Sequence, residues 1–353
     1  MATMKEIELV DIEKFAEKEV EIPEVGPDQV LIEPEIFGIC GSDVHSYTGH
    51  HPFVDPPIVL GHEYSGIVRK VGENVDDLEI GQRVTSEIVI NCGVCHNCRD
   101  GRYQICENGK YLGNVGWNGA MAEYLVMYAD KVHKLPEELT SQQGAMVEPA
   151  AVGIHAVRRS DFQVGDTALV LGAGVIGNLT AQALKAAGAS RVIITDVIDD
   201  RIEKAKETGC NEALNSADID LPKWIEDNLG RENLKIIFDC VGIEQTLDTA
   251  INIARKGSQI IMVGVPPPTE IPVNMAFVQD RELEIIGSLQ YIDKDYIRAI
   301  NFINDGRLTV EPLITHVLPL GEYEKGFELA GSQDAAQSGR MKVMLEHDWE
   351  EQG

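Results

Sequence analysis

The sequence predicts an α/β protein built in two unlike parts, a strand-rich first part and a doubly wound parallel sheet. Two patterns carry this reading. From about Asp166 onward, short continuous apolar runs alternate with amphipathic helical stretches. Before that point the chain reads as short strands and loops with single-residue alternation. A chain of 353 residues is long enough for two domains and a sizeable core.

In the first part, Gln29-Val-Leu-Ile-Glu-Pro-Glu-Ile alternates as a strand does. Glu63-Tyr-Ser-Gly-Ile-Val-Arg-Lys-Val-Gly is another strand, ended by its glycine. Ala168-Leu-Val-Leu is a continuous apolar run suited to a buried parallel strand. A helix follows to Ala187, then strand Arg191-Val-Ile-Ile-Thr-Asp. Further strands are Ile236-Ile-Phe-Asp, Gln259-Ile-Ile-Met-Val-Gly and Leu283-Glu-Ile-Ile-Gly. Amphipathic helices from Ile198 to Thr208 and from Leu247 to Ala254 lie between them, and Pro266-Pro-Pro is a loop. After Tyr291 come a helix from Asp295 to Asn304, strand Leu313-Ile-Thr-His-Val-Leu, a helix from Gly321 to Ala330 and strand Met341-Lys-Val-Met-Leu-Glu. This tail is expected to return to the first part. Residues 1–152 and 292–353 then form one discontinuous domain around residues 153–291.

Asp and Glu number 58 against 30 Lys and Arg, a formal charge of -28. Such a surface repels phosphate backbones and argues against a nucleic-acid partner. It fits either an acidic soluble enzyme or a protein adapted to a salty cytoplasm, where screening relieves self-repulsion. No secretory leader and no run of about 20 apolar residues is visible, so a cytoplasmic protein without a membrane segment is expected.

Cys92, Cys95, Cys98 and Cys106 follow a C-x2-C-x2-C-x7-C spacing. Short spacings let successive thiolates wrap one ion, and the fourth sulfur closes a tetrahedron with Zn–S near ~2.3 Å. Four protein ligands leave no position for substrate, which predicts a structural zinc. Disulfides and an iron–sulfur cluster are the competing readings; the absent leader and the spacing disfavour them. Cys210 and Cys240 read as small buried apolar residues.

Gly172-Ala-Gly174-Val175-Ile176-Gly177 lies between a predicted strand and a helix, the context a dinucleotide loop requires. Gly172 permits the tight turn, Gly174 a close approach to the pyrophosphate and Gly177 close helix packing. Asp196 ends the next strand, where a carboxylate bonds ribose hydroxyls and repels a 2′-phosphate, so NAD is expected over NADP. Arg201 is a candidate to flank the adenine.

Cys40-Gly-Ser42-Asp43-Val-His45, Gly61-His62-Glu63 and Val147-Glu148-Pro149 offer Cys, His and carboxylate donors for a catalytic zinc. Together with the cysteine loop, these motifs resemble the zinc-dependent medium-chain alcohol dehydrogenases. Within them the likeness is to the sorbitol (polyol) dehydrogenase branch, which also holds butanediol and threonine dehydrogenases. The resemblance covers nearly the whole chain. It implies a GroES-like, mostly-β catalytic domain and a Rossmann cofactor domain. It also implies that Cys40 and His62 bind zinc, with Glu63 or Glu148 as third ligand, and that Asp43 fixes the His62 tautomer. Two zinc ions per chain are then expected. Ser42 would pass the proton of the substrate hydroxyl to the nicotinamide ribose and His45 would carry it to solvent, with Glu148 the alternative base. His50 and His51 read as loop polar groups.

Tyr47 and Trp117 are candidate pocket walls by loop position. In Gly287-Ser-Leu-Gln290-Tyr291, polyol enzymes often carry an arginine where this chain has Gln290. That neutral side chain leaves sorbitol, a diol, an amino alcohol, an inositol-like ring and a sugar phosphate open. The expected activity is NAD-linked oxidation of a secondary alcohol, a polyol first, with butanediol, threonine or a sugar-alcohol phosphate as alternatives. A non-catalytic, zinc-free relative is the reading from another class; it would lack Cys40, His62 and Glu148. A homotetramer or homodimer is implied, with Gln259 to Val265 and Leu283 to Ile286 offering a sheet edge.

Overall fold

The computed structural model describes residues 2–210, 212–266, 269–331 and 339–349. A seven-stranded sheet and a six-stranded sheet dominate it. The six-stranded sheet is wholly parallel, in the order Glu212–Asn215, Arg191–Asp196, Thr167–Leu171, Leu234–Asp239, Gln259–Met262, Glu284–Gly287. The order reverses at Thr167–Leu171, which places a crevice at the carboxyl ends of the central strands. Thr167–Leu171 is buried along its length because helices cover the sheet, and this is why its residues read as an unbroken apolar run. Truncating Leu169, 1% exposed, to alanine would cost about 2–5 kcal/mol.

The other large sheet runs Val132–Lys134, Arg83–Ser86, Glu63–Val71, Gln29–Gly38, Lys342–Glu346, Ile314–Pro319, with Leu125–Tyr128 also paired to Gln29–Gly38. Its last two strands come from the end of the chain, so the tail does return to the first part. Their register sets Met344 opposite Gly38 and brings Lys342 alongside the Cys40 end of that strand. An amino-terminal hairpin, Thr3–Asp11 with Lys14–Glu21, adds a separate two-stranded sheet.

Helix Val147–Arg159 packs on Val175–Ala186 and on Asp293–Asn304. Its contact with the last is pinned by Asp295, which is fully buried. The Asp295 carboxylate accepts hydrogen bonds from His155 Nδ1 at 2.7 Å and Arg158 Nε at 2.7 Å. Burial pushes the Asp295 carboxyl up, but His155 and Arg158 outweigh burial and hold it below the usual range.

Two expectations are corrected. Gln259–Met262 is flanked on both sides, and an apolar run alone does not tell a central strand from an edge; of the two strands offered, Glu284–Gly287 is the one at an edge, the opposite edge being Glu212–Asn215. Cys210 is buried as expected, whereas Cys240 is half-buried at the glycine loop. Pro267 and Pro268 of the expected proline loop lie outside the described residues. No helix among the described residues is long and apolar enough to cross a membrane.

Candidate active site

Cys40 lies two residues beyond the long strand Gln29–Gly38 and caps helix Gly41–Tyr47. Asp43, at the third helical position, accepts the Cys40 backbone N–H at 2.9 Å, so one carboxylate fixes the helix start. Its other oxygen lies 3.3 Å from His62 Nδ1, a long contact that orients the ring and leaves Nε2 for a metal. Gly38 pairs with Glu63 across the sheet, and this register brings the Cys40 and His62 segments together. One donor atom each from Cys40, His62 and Glu63 lies within 4.8 Å of the others. A soft thiolate, an imidazole and a carboxylate so arranged fit zinc with an open fourth position.

Glu148 is buried in the first turn of helix Val147–Arg159. Burial pushes its carboxyl up to about 7; His62 draws it down and Glu63 adds to the rise. It stands beside the metal centre but outside the 4.8 Å set. The Tyr291 hydroxyl faces Glu148 without a closed hydrogen bond. The buried Gln290 Oε1 and Ser288 Oγ also find no partner among the described residues, and Gln290 has φ 53. A non-glycine residue held there, with polar atoms unpaired, is costly unless a ligand repays it.

Ser42 and His45 both lie on helix Gly41–Tyr47, one turn from Cys40. Burial lowers the His45 pKa, with His50 adding to it. His51, read as a loop polar group, does lie in the loop after this helix. Its ring interacts with His45, Asp43 and His62, and its Nδ1 accepts the Phe53 N–H at 3.2 Å. Only the nearby Cys-x4-His pattern of Cys40 and His45 could have pointed to these contacts.

The sequence reading missed Lys342. It is fully enclosed, with Nζ paired to the Glu63 carboxylate and 3.2 Å from the Ile39 carbonyl. Burial pulls its pKa down, but Glu63 and Cys40 more than offset that and hold the ammonium charged. A lysine among Met341, Val343 and Met344 in an otherwise buried strand was the available signal.

Tyr47 and Trp117, the candidate pocket walls, both have packing partners of their own. Tyr47 stacks on Phe15 with ring centroids 5.2 Å apart and tilts against Phe327 at 5.4 Å. Trp117 donates Nε1–H to the Val126 carbonyl at 2.9 Å and lines a cavity of ≈ 670 Å³ with Phe53, Ile58 and Tyr124, which none of the metal donors touches.

The four cysteines also converge, each offering sulfur within 4.8 Å of the rest. Cys95 Sγ lies 3.4 Å from Cys98 Sγ and 3.9 Å from Cys106 Sγ, close to the ~3.8 Å edge of a tetrahedron with ~2.3 Å Zn–S bonds. The Cys92 N–H donates to Cys106 Sγ and the Asn91 amide to Cys98 Sγ. Backbone hydrogen bonds from Val94 and Cys95 draw the Cys92 thiol down to about 6, toward the thiolate a metal needs.

At the crevice, Gly172 has φ +94, and a Cβ on Gly177 would sit 1.8 Å from the Gly172 carbonyl oxygen. Nothing lies within 4 Å of a Cβ built on Gly174, which leaves room for a pyrophosphate over the amides of Val175 and Ile176. Asp196 Oδ2 accepts the Ala173 N–H at 2.8 Å, tying strand end to loop. Arg201 Nη1 stands 3.6 Å from that oxygen.

Residues 26–137 match the Alcohol dehydrogenase GroES-like domain and residues 175–305 the Zinc-binding dehydrogenase domain. A sorbitol dehydrogenase of Bacillus subtilis (strain 168) is 34% identical over 313 residues, 88% of each chain. This chain belongs to the zinc-dependent medium-chain dehydrogenases, polyol branch. An L-idonate 5-dehydrogenase of Vitis vinifera is likewise 34% identical, over 92% of this chain and 89% of its own. Among solved structures, a zinc-binding dehydrogenase from Sinorhizobium meliloti 1021 bound to NADP superposes with TM-score 0.89 at 30% identity, covering 98% of this chain and 100% of its own. The dehydrogenase therefore has the GroES-like and Rossmann parts that its two sheets describe.

Proposed function

We propose that this dehydrogenase oxidises a secondary hydroxyl of a polyol to a ketone, with NAD as acceptor and two zinc ions per chain. The observation that carries the reading is the meeting of Cys40, His62 and Glu63, with Glu148 and the Tyr291 hydroxyl that faces it at their edge. When bound, zinc supplies Lewis acidity toward a hydroxyl oxygen and NAD a hydride acceptor. Cys40, His62 and Glu63 hold the catalytic metal, with Glu148 in reserve at its edge. Ser42 takes the hydroxyl proton, and His45 and His51, both kept neutral by burial, carry it outward. Gln290 accepts from a further substrate hydroxyl and Tyr291 donates to one. A neutral pair of this kind suits a polyol better than a phosphate or carboxylate. Asp196 meets the ribose hydroxyls, which supports NAD even though the Sinorhizobium relative binds NADP. Residues 1–152 with 292–353 act as the catalytic unit and 153–291 as the cofactor unit. The edge strand Glu284–Gly287 can pair with a second copy in a cytoplasmic homodimer or homotetramer.

Sorbitol, xylitol, 2,3-butanediol, threonine, L-idonate and a sugar-alcohol phosphate should be offered with NAD and with NADP, and reduced cofactor read by absorbance. The proposal expects the free polyols with NAD to give the highest kcat/KM. Preference for the phosphate, the diol or threonine, or for NADP, would refute the corresponding part.

A further inference from the structure

The candidate metal donors share their pocket with a buried cation that neither hydride transfer nor proton release employs. Lys342 reaches the pocket from the last strand of the sheet, and its Nζ is held between the Glu63 carboxylate and the Ile39 carbonyl. The space for this pair exists because residue 38 is glycine. A Cβ there would lie 2.5 Å from Glu63 Oε2 and 3.0 Å from Lys342 Cδ. The fold therefore sets a glycine, a metal-side carboxylate and an ammonium in one fixed arrangement.

We propose that Lys342 is a positioning residue that holds the catalytic metal loosely, by occupying one oxygen of Glu63 and leaving only the other for the ion. This rests on the reading that Cys40, His62 and Glu63 bind that metal. Two physical effects act together. A carboxylate whose second oxygen is bound to an ammonium donates less charge to a cation and cannot bind it through both oxygens. The ammonium also repels the divalent ion through a medium of low effective dielectric, where one charge a few ångströms away changes affinity by more than about tenfold. The four-cysteine site has no ammonium among its described hydrogen-bond partners and so serves as the internal reference.

Lys342→Met and Lys342→Arg separate this role from that of an ordinary buried ion pair. Methionine frees both oxygens of Glu63 and removes the repulsion, so chelator competition should show the catalytic metal bound about tenfold or more tighter. The visible spectrum of the cobalt-substituted protein should change with the new carboxylate geometry. Arginine keeps the charge but presents a two-pronged donor that engages both Glu63 oxygens, so it should weaken the same metal by about tenfold or more. A purely structural pair predicts instead that arginine rescues whatever methionine harms. Opposite shifts of catalytic-metal affinity, with the loop metal unmoved, support the proposal. Equal or same-direction shifts overturn it, and the arginine variant alone decides the matter if the methionine variant fails to fold. A parent protein that holds only the loop metal would overturn the reading of the site itself, a failure distinct from that of Lys342.

Discussion

The two candidate metal sites of this chain are made from overlapping chemistry by opposite routes. The cysteine site gathers Cys92 to Cys106 within one loop, and its sulfurs accept hydrogen bonds from that loop's own Cys92 amide and Asn108 side chain. The catalytic site draws Cys40 from just beyond one strand, His62 and Glu63 from the start of its neighbour, Glu148 from a helix and Lys342 from the returning tail. The first is local, and its four sulfurs are enough for every position of a tetrahedral ion. The second is a product of the whole fold, and its three donors leave a fourth tetrahedral position unfilled by Cys40, His62 or Glu63. A site closed by sequence spacing is a matter of stability; a site closed by topology can remain open for chemistry.

The sharpest break in that contrast comes from removing one cysteine on each side. Cys40→Ala should lower kcat by about 10³-fold or more and remove one zinc per chain, with the unfolding midpoint little changed. Cys98→Ala should instead lower the unfolding midpoint and leave kcat of the remaining folded protein within a fewfold. Metal analysis, steady-state rates and thermal melts on both variants decide it, and exchanged phenotypes would reverse the assignment of the two sites.

Ser42→Ala sharpens the open side. It should keep both metals and NAD affinity yet slow single-turnover hydride transfer by about 10²–10⁴. Parent-like rates would move the proton route to Glu148.

The topological route also predicts acid sensitivity. His347 docks the tail: its Nε2 donates to the Ala120 carbonyl at 3.0 Å and its Nδ1 accepts from Trp349 at 2.8 Å. Burial pulls its pKa down to about 4, against an ordinary value of 6.5. The unfolded chain therefore takes up this proton first as pH falls. The stability from the neutral ring is whole above pH about 6.5 and is lost progressively toward pH 4, about 3 kcal/mol in all. Denaturant unfolding at pH 7.5 and pH 5 should show this slope in the parent and a flatter one in His347→Asn.

The smallest expected effect is that of Asp43→Asn, which keeps the cap of helix Gly41–Tyr47 but weakens the hold on the His62 ring. Catalytic-metal affinity should fall by about 10–100-fold, with the cysteine site unaffected. An unchanged chelator titration would show that the 3.3 Å contact does not orient the ligand.

What could be read from the sequence follows the same division. The cysteine spacing and the glycine loop were legible because their geometry is local, and the parallel strands because burial on both faces leaves an apolar run. Cys40, His62, Glu63 and Glu148 were found by motif, but the meeting of the first three depends on strand pairing that one sequence does not display. Lys342 escaped because a lone lysine in a strand ordinarily points to water; only the Gly38 gap and the Glu63 register turn it inward. His51 was legible as a loop polar group, but its loop position says nothing of the rings it approaches. Tyr47 and Trp117 were singled out by loop position, which says nothing of their packing on Phe15 and their bond to Val126.

The tail that delivers Lys342 also sets a clock on synthesis. Cys106 leaves the ribosome within about 1–3 s of Cys92, at about 5–20 residues per second. The roughly 300 residues between Cys40 and Lys342 take about 15–60 s at the same speed. A nascent chain therefore completes its cysteine cluster early and carries Cys40, His62 and Glu63 for most of its emergence without the lysine that restrains them. In that interval the thiolate and carboxylate are open to whichever divalent ion arrives first, and the closing strand is the step that limits how tightly such an ion can stay.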